Sequence, residues 1–253
     1  MSHFFYQSKL LDSLPHILHG FTSRHGGTSA APFAELNLST RVGDDLQNVR
    51  ANRQKVLDTL QRPDATFVCL KQVHEATLLE LTHTAAKNIE ADGLYTRDTK
   101  AVLATLVADC VPILMADIKN RVVAAVHAGW RGTQQKIAQK MVSRLEDLKI
   151  LPSELRIAIG PAIGPCCFGI GDDVYEQLRT GYPEIQQAFS KTDAGQQTAD
   201  LWLLNQEGLV HAGVAKEHIE VLRYCTSCHK DFFSHRRDQG TTGRQAGVIA
   251  FRQ

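Results

Sequence analysis

The stretch from Ala101 to His127 limits the possible folds more than any other part of the chain. Residues 101–108 form an apolar run with β-branched members, which reads as a buried strand. Residues 121–127 are similar, and Ile118 to Asn120 read as the turn joining strands 111–117 and 121–127. A sheet of buried strands therefore lies at the centre of the fold.

The surrounding segments carry other periods. Leu46, Val49, Val56, Leu57 and Leu60 recur at helical spacing, and Asp44 or Asp45 can cap the start. Residues 66–70 read as a strand and 76–81 as its neighbour. After 121–127 a helix is expected, with Thr133 as N-cap. Its apolar face is Ile137, Met141, Leu145 and Leu148, with Ala138 and Val142. A strand is expected at 155–160, then helices at 173–180 and 199–212 with Gly181 and Gly213 as stops. Residues 191–200 read as a surface loop. Late strands are expected at 219–224 and 246–251. Hairpin-like strand pairs interspersed with helices are neither a βαβ repeat nor all-β, so the class is α/β of the α+β type. The apolar segments are spread evenly over 253 residues, which favours one intertwined domain over 1–253.

Charge narrows the partners. The 28 basic and 27 acidic residues nearly cancel, which removes the electrostatic case for nucleic acid or an anionic membrane as main partner. No apolar run approaches the roughly 20 residues of a membrane helix. Met1 to Leu11, with His3, Gln7 and Lys9, lacks the order of a signal peptide. The expected compartment is the cytoplasm, where six cysteines are better read as thiols than as disulfides.

Three segments put a metal-binding side chain at a strand end: Lys71-Gln72-Val73-His74, Ala108-Asp109-Cys110-Val111-Pro112, and Val126-His127-Ala128-Gly129-Trp130-Arg131-Gly132. Two imidazoles and a thiolate suit Zn²⁺, with copper as the rival, and three ligands leave a fourth position open. Such a His is more often a hydrogen-bonded structural residue, and a buried Cys is more often a small hydrophobe. Spacing alone leaves both readings standing. Gly129 and Gly132 permit close backbone approach. Asp109 is placed to orient a His or accept a proton.

Other segments are candidates of a weaker kind. Arg24 and His25, ahead of Gly26-Gly27, form a glycine-backed polar loop suited to an anion, and Asn37 can join it. Residues 160–171 hold four glycines and two prolines; they read as a pocket wall or a tight structural crossing. Arg236, Arg237 and Arg244 offer guanidinium forks for phosphate or carboxylate, or simply a solvated surface. Cys225-Thr226-Ser227-Cys228-His229 suggests redox chemistry, haem attachment or a second metal site, the last needing further ligands.

Taken together, the three ligand segments, Ile159-Gly160-Pro161-Ala162-Ile163-Gly164 and Phe233-Ser234-His235-Arg236-Arg237 resemble the YfiH/YlmD family. That family was long labelled multicopper polyphenol oxidase or laccase-like. It is now regarded as purine nucleoside phosphorylase with adenosine deaminase and methylthioadenosine phosphorylase activities, and FAMIN is its mammalian relative. The resemblance runs from Phe21 to about Phe251. It implies four layers, α/β/β/α, with mixed sheets, and zinc on His74, Cys110 and His127. It also implies purine nucleoside and phosphate contacts among Arg24, His25, Asn37, Lys71 and Arg131. One departure is Glu75, where the family usually has Gly or Ser.

The two implied reactions ask for different things. Deamination needs hydroxide at purine C6, which a metal on a His/His/Cys set can provide, with Asp109 as proton shuttle. Phosphorolysis needs phosphate held against the ribose anomeric carbon by Arg24, His25 and Arg131. Three rivals remain at this point. A copper-dependent polyphenol oxidase would need the His-x-His pairs that this chain, with 11 histidines, does not contain. A cysteine hydrolase, such as an amidase editing peptidoglycan precursors, would use Cys110 as nucleophile. A metal-binding protein without catalysis is the third. A monomer or a small homo-oligomer is expected.

Overall fold

A computed structural model describes residues 4–82 and 89–252; residues 1–3 of the N-terminal stretch examined for a signal lie outside the described residues. In chain order the strands are β1 (Phe5–Tyr6), β2 (Ile17–Thr22), β3 (Thr66–Cys69), β4 (Leu78–Leu81), β5 (Gly93–Thr96), β6 (Ala101–Val107), β7 (Val111–Asp117), β8 (Val123–Ala128), β9 (Leu155–Ile159), β10 (Phe189–Lys191), β11 (Gln197–Ala199), β12 (Ile219–Val221) and β13 (Gln245–Phe251). The helices are α1 (Lys9–Asp12), α2 (Leu46–Thr59), α3 (Trp130–Gln134), α4 (Ile137–Asp147), α5 (Asp172–Gly181) and α6 (Leu201–His211).

Two mixed sheets form the centre. One has the order β1-β2-β13-β6-β3 and the other β12-β9-β7-β8-β5-β4, while β10 and β11 make a separate hairpin. The pairs β3/β6, β4/β5 and β9/β12 are parallel and the remaining neighbours antiparallel.

Alternation along each strand builds the layers. Leu103, Ile249 and Phe251 of the first sheet share one buried cluster with Leu114, Ala116, Val123 and Ala125 of the second. Their sequence neighbours face outward. Val102, Ala104, Val248 and Ala250 meet Val56 and Leu57 of α2. Ile113, Met115, Ala124 and Val126 meet Met141 and Leu145 of α4 and Trp202 and Leu204 of α6. The order is thus helix, sheet, sheet, helix. Strands covered on both faces need apolar side chains at every position, which is why residues 101–127 read as continuous apolar runs.

Several local expectations hold and others shift. Asp45 caps α2, its side chain accepting the Gln47 N–H at 2.7 Å. Gly213 follows α6 at φ 88°, a left-handed turn suited to glycine. The segments 66–70 and 76–81 are not neighbours: β3 pairs with β6 and β4 with β5, in different sheets. Thr133 is not an N-cap. The chain turns helical at Gly129, directly after β8, so Thr133 falls inside α3, and α4 starts after Lys136, which stands at φ 61°. The Thr133 hydroxyl instead accepts from Asn205 Nδ2 at 2.9 Å. Residues 191–200 contain β11 as well as a turn, and Asp200 caps α6 by accepting the Leu203 N–H.

His19 on β2 is buried, and its Nε2 accepts the Ser8 N–H at 2.9 Å, which only the neutral ring can do. Burial holds its pKa down to about 4 from an ordinary 6.5, against the pull of Asp12. Between those values the unfolded chain binds the extra proton. The stabilisation is therefore complete above pH 6.5 and is lost as pH falls toward 4, about 3 kcal/mol in all. His19→Gln keeps an acceptor but cannot titrate. Its melting temperature should gain on that of the wild type as pH drops from 7 to 4.5. A constant gap across that range would exclude His19 from the acid sensitivity.

Candidate metal centre

Antiparallel pairing of β7 with β8 sets Pro112 opposite His127. Cys110, just before β7, therefore emerges at the same sheet end as His127. The third segment arrives from the other sheet: the chain leaves β3, crosses over, and turns at His74, which adopts φ 64°. One ligand atom from each of His74, Cys110 and His127 lies within 4.8 Å of the others. The two imidazole centroids are 4.9 Å apart with ring planes at 82°. His127 is buried, Cys110 half-buried and His74 exposed, so the cluster is open on the His74 side.

The backbone around the trio is shaped for it. A Cβ on Gly129 would come within 3.2 Å of Cys110 Sγ and 3.1 Å of His74 Cδ2, so glycine is what leaves the space between the ligands.

Asp92, a residue the motifs did not reveal, organises two of the three ligands. Its side chain is buried. Oδ1 accepts the His74 N–H at 2.9 Å and meets His127 Nδ1 at 2.8 Å, while Oδ2 accepts the N–H groups of Val73 and Glu75 at 3.2 and 2.9 Å. Burial pushes this carboxyl up, but the bond from His127 and the backbone N–H groups outweigh it and hold it below the usual range. With Nδ1 engaged on Asp92, His127 presents Nε2 to the centre.

The electrostatics suit a cation. Burial alone would raise the Cys110 thiol, yet the charge of His127 and hydrogen bonds with both imidazoles bring it down to about 6. Burial would lower His127, yet Cys110 and Asp92 lift it to about 9. The thiolate form of Cys110 is thus favoured by the positive charge that His127, or a cation in its place, can supply. A thiolate, an oriented imidazole and an exposed second imidazole are the donors a zinc ion takes, with one position left for a reactant.

Known proteins resemble this chain along nearly its whole length. A family profile described as "Multi-copper polyphenol oxidoreductase laccase" matches residues 18–252. The chain is 42% identical over 246 residues to "Purine nucleoside phosphorylase YlmD" of Geobacillus stearothermophilus, covering 92% of this chain and 90% of that protein. It is 34% identical to "Purine nucleoside phosphorylase YfiH" of Escherichia coli, covering 90% and 91%. The crystal structure of YlmD from Geobacillus stearothermophilus superposes with a TM-score of 0.91 at 39% identity, covering 99% of both chains. That of the Bacillus licheniformis YfiH protein gives 0.88 at 38%, covering 93% of each. The chain belongs to the YfiH/YlmD family.

In this family member the remaining candidate residues divide clearly. Asp109, at φ 89°, accepts from Thr226 Oγ1 at 2.6 Å and from the Arg236 N–H at 2.7 Å. The carboxylate that orients a metal-facing His is therefore Asp92 rather than Asp109. Asn37 is fully buried. Its Nδ2 donates to Ser39 O and Asp44, and its Oδ1 accepts from the backbones of Ser39 and Arg244. Its amide is engaged on both sides here. Lys71 is exposed and pairs with Glu90. Arg131 is exposed and stacks on Trp130, 4.4 Å from the ring centroid.

Arg24 lies 4.7 Å from the Phe233 ring centroid and donates Nε to Ala34 O; His25 meets Asp231 at 3.1 Å. Arg237 donates to the carbonyls of Thr226 and Phe232 and is structural rather than a solvated surface residue. Arg244 is a half-buried cation whose charge is felt at the centre. Burial lowers its pKa, and the charges of Cys110 and Asp109 raise it. Its Nη1 bonds to the carbonyls of Thr242 and Gly243, and its other donors have no protein partner among the described residues. The motif reading offered Arg244 only as one arginine of several, because nothing in its spacing shows that it folds back to Cys110.

Replacing Asp92 with Asn keeps the shape and removes the charge that orders the His74 turn and the His127 tautomer. Zinc affinity should fall by about 10- to 100-fold, read by competition with a chromophoric chelator. Equal affinity in a folded Asp92→Asn protein would show that Asp92 serves the fold alone.

Proposed function

We propose that this protein is a zinc-dependent purine nucleoside phosphorylase that also deaminates adenosine, acting in the cytoplasm as one catalytic domain over 1–253. The observation that carries this reading is the His74, Cys110 and His127 cluster, with the Arg244 charge felt there, in a chain similar along its length to proteins named purine nucleoside phosphorylases. The domain reading is supported by β13, from the end of the chain, lying between β2 and β6. Monomer or small homo-oligomer suits this unit.

The substrates are adenosine, inosine or guanosine, and 5′-methylthioadenosine, with inorganic phosphate. In phosphorolysis a phosphate oxygen forms a bond to ribose C1′ as the bond to the purine nitrogen breaks, and the purine takes the electron pair and a proton. Arg244 holds the phosphate by the guanidinium donors that the protein leaves unengaged, at a site where burial strengthens the attraction. Arg24, His25 and Arg131 form the outer polar contacts, and Lys71 joins them only by releasing Glu90. Asp109, fixed by Thr226 and the Arg236 N–H beside Cys110, moves the proton to or from the base. When bound by His74, Cys110 and His127, zinc supplies Lewis acidity.

The multi-copper description fits the side chains less well. The two donor groups found among the described residues contain two imidazoles between them, a set for single ions rather than for a copper array. Cys110 beside an imidazole would also suit the nucleophile of an amidase; the second imidazole, with all three donor atoms within 4.8 Å of one another, favours a metal ligand set.

Purified protein should release free purine from inosine, guanosine and 5′-methylthioadenosine only when phosphate is present, and should yield inosine from adenosine without it. Cys110→Ala should abolish both activities. Arg244→Ala should cut phosphorolysis by about 100-fold or more and raise the KM for phosphate, while deamination changes little. Full activity in Cys110→Ala would overturn the metal-centred reading.

A further inference from the structure

A second cluster lies outside this centre. Cys225 and Cys228 hold a C-x₂-C spacing that alone lacks enough ligands for a metal. The fold supplies the rest, because the 160–171 loop brings Cys166 and Cys167 onto them. One sulfur from each of the four lies within 4.8 Å of the others. Cys228 Sγ is 3.6 Å from Cys166 Sγ and 3.4 Å from Cys167 Sγ. Four sulfurs placed about 2.3 Å from a zinc ion stand about 3.8 Å apart, whereas a disulfide needs about 2.05 Å. The Gly164 N–H donates to Cys225 Sγ at 3.2 Å, the kind of partner a metal-bound thiolate takes. Cys225 is buried and Cys167 half-buried, while Cys166 and Cys228 reach the surface and leave an entry path.

We propose that Cys166, Cys167, Cys225 and Cys228 form a second, structural zinc site of four thiolates, distinct from the His74, Cys110 and His127 centre. Binding releases the thiol protons to solvent and involves no oxidation. With four protein ligands the ion has no position for a reactant, so its work is mechanical. It joins the 160–171 loop to the 225–238 segment, and both hold Asp109. Ile163 N–H donates to Asp109 O at 2.9 Å, Thr226 and Arg236 hold the Asp109 carboxylate, and Arg236 Nη1 reaches Cys167 O at 3.0 Å. The staple therefore fixes the residue next to Cys110 from behind.

Elemental analysis of protein made without an affinity tag for metal should give two zinc ions per chain. Cys225→Ser/Cys228→Ser should keep one, and so should Cys110→Ala. Cobalt substitution separates the two sites without relying on activity. The sulfur-to-cobalt charge-transfer band should fall to about a fifth in the Cys225/Cys228 variant, since one Co–S bond of five remains, and should stay near full strength in Cys110→Ala. If the double variant does not fold, the wild type decides: cobalt titration should show a second equivalent with tetrathiolate absorption. A single equivalent with one-thiolate absorption overturns the proposal. A disulfide among these four cysteines, found by peptide mapping of unreduced protein prepared with a thiol-protecting alkylator, overturns it as well.

Discussion

A carboxylate at the bottom of a protein is tolerable only when its charge is answered, and Asp92 is answered completely. It is 2% exposed and takes three consecutive backbone N–H groups and a histidine ring nitrogen. Those bonds cross between the parts of the chain that must meet. Val73, His74 and Glu75 come over from the first sheet, whereas His127 belongs to β8 of the second. Without Asp92 the turn at His74 would lose the anion that gathers its N–H groups, and His127 would lose the bond that selects its tautomer. The candidate ligand set is thus assembled around an anion behind it.

The backbone shows the same economy. His74 and Asp109 both stand in the left-handed region, at φ 64° and 89°. For residues with a Cβ this conformation costs on the order of 1–3 kcal/mol each. Both positions flank the centre, and both are held by bonds to their own groups: Asp92 on the His74 N–H, Ile163 on the Asp109 carbonyl. Strain kept in place on two sides of one cluster is consistent with a site whose geometry is set before any ligand arrives.

Much of this architecture was legible in the residues. Continuous apolar runs at 101–127 marked strands covered on both sides, and three candidate ligands stood at strand ends. What stayed hidden depended on contacts distant in sequence. Asp92 precedes a short strand and matches no spacing; its partners lie 17 to 19 and 35 residues away. The C-x₂-C pair stood alone in the sequence because Cys166 and Cys167, which the fold sets beside it, lie about 60 residues upstream. The expected neighbours 66–70 and 76–81 separated because hydrophobic alternation names a buried face but not the sheet it belongs to. Thr133 had the chemistry of a cap, but the helix had already begun at Gly129.

The segment between β12 and β13 shows why the polar residues were harder to assign than the ligands. Residues 222–244 contain no helix or strand, so periodicity is silent there, and side-chain bonds set the path. Arg237 ties Thr226 to Phe232, Gln245 brackets Phe233, Asp238 takes Thr242, and Asn37 holds the Arg244 backbone. Asp231 reaches the N-terminal loop through His25 and Tyr6. An arginine in such a segment has the same composition whether it braces the loop or faces the substrate. Arg237 braces, because its donors end on backbone carbonyls and Asp238; Arg244 keeps part of its fork without a protein acceptor among the described residues. Satisfaction of donors, rather than residue type, separates the two, and it becomes visible only when the fold is known.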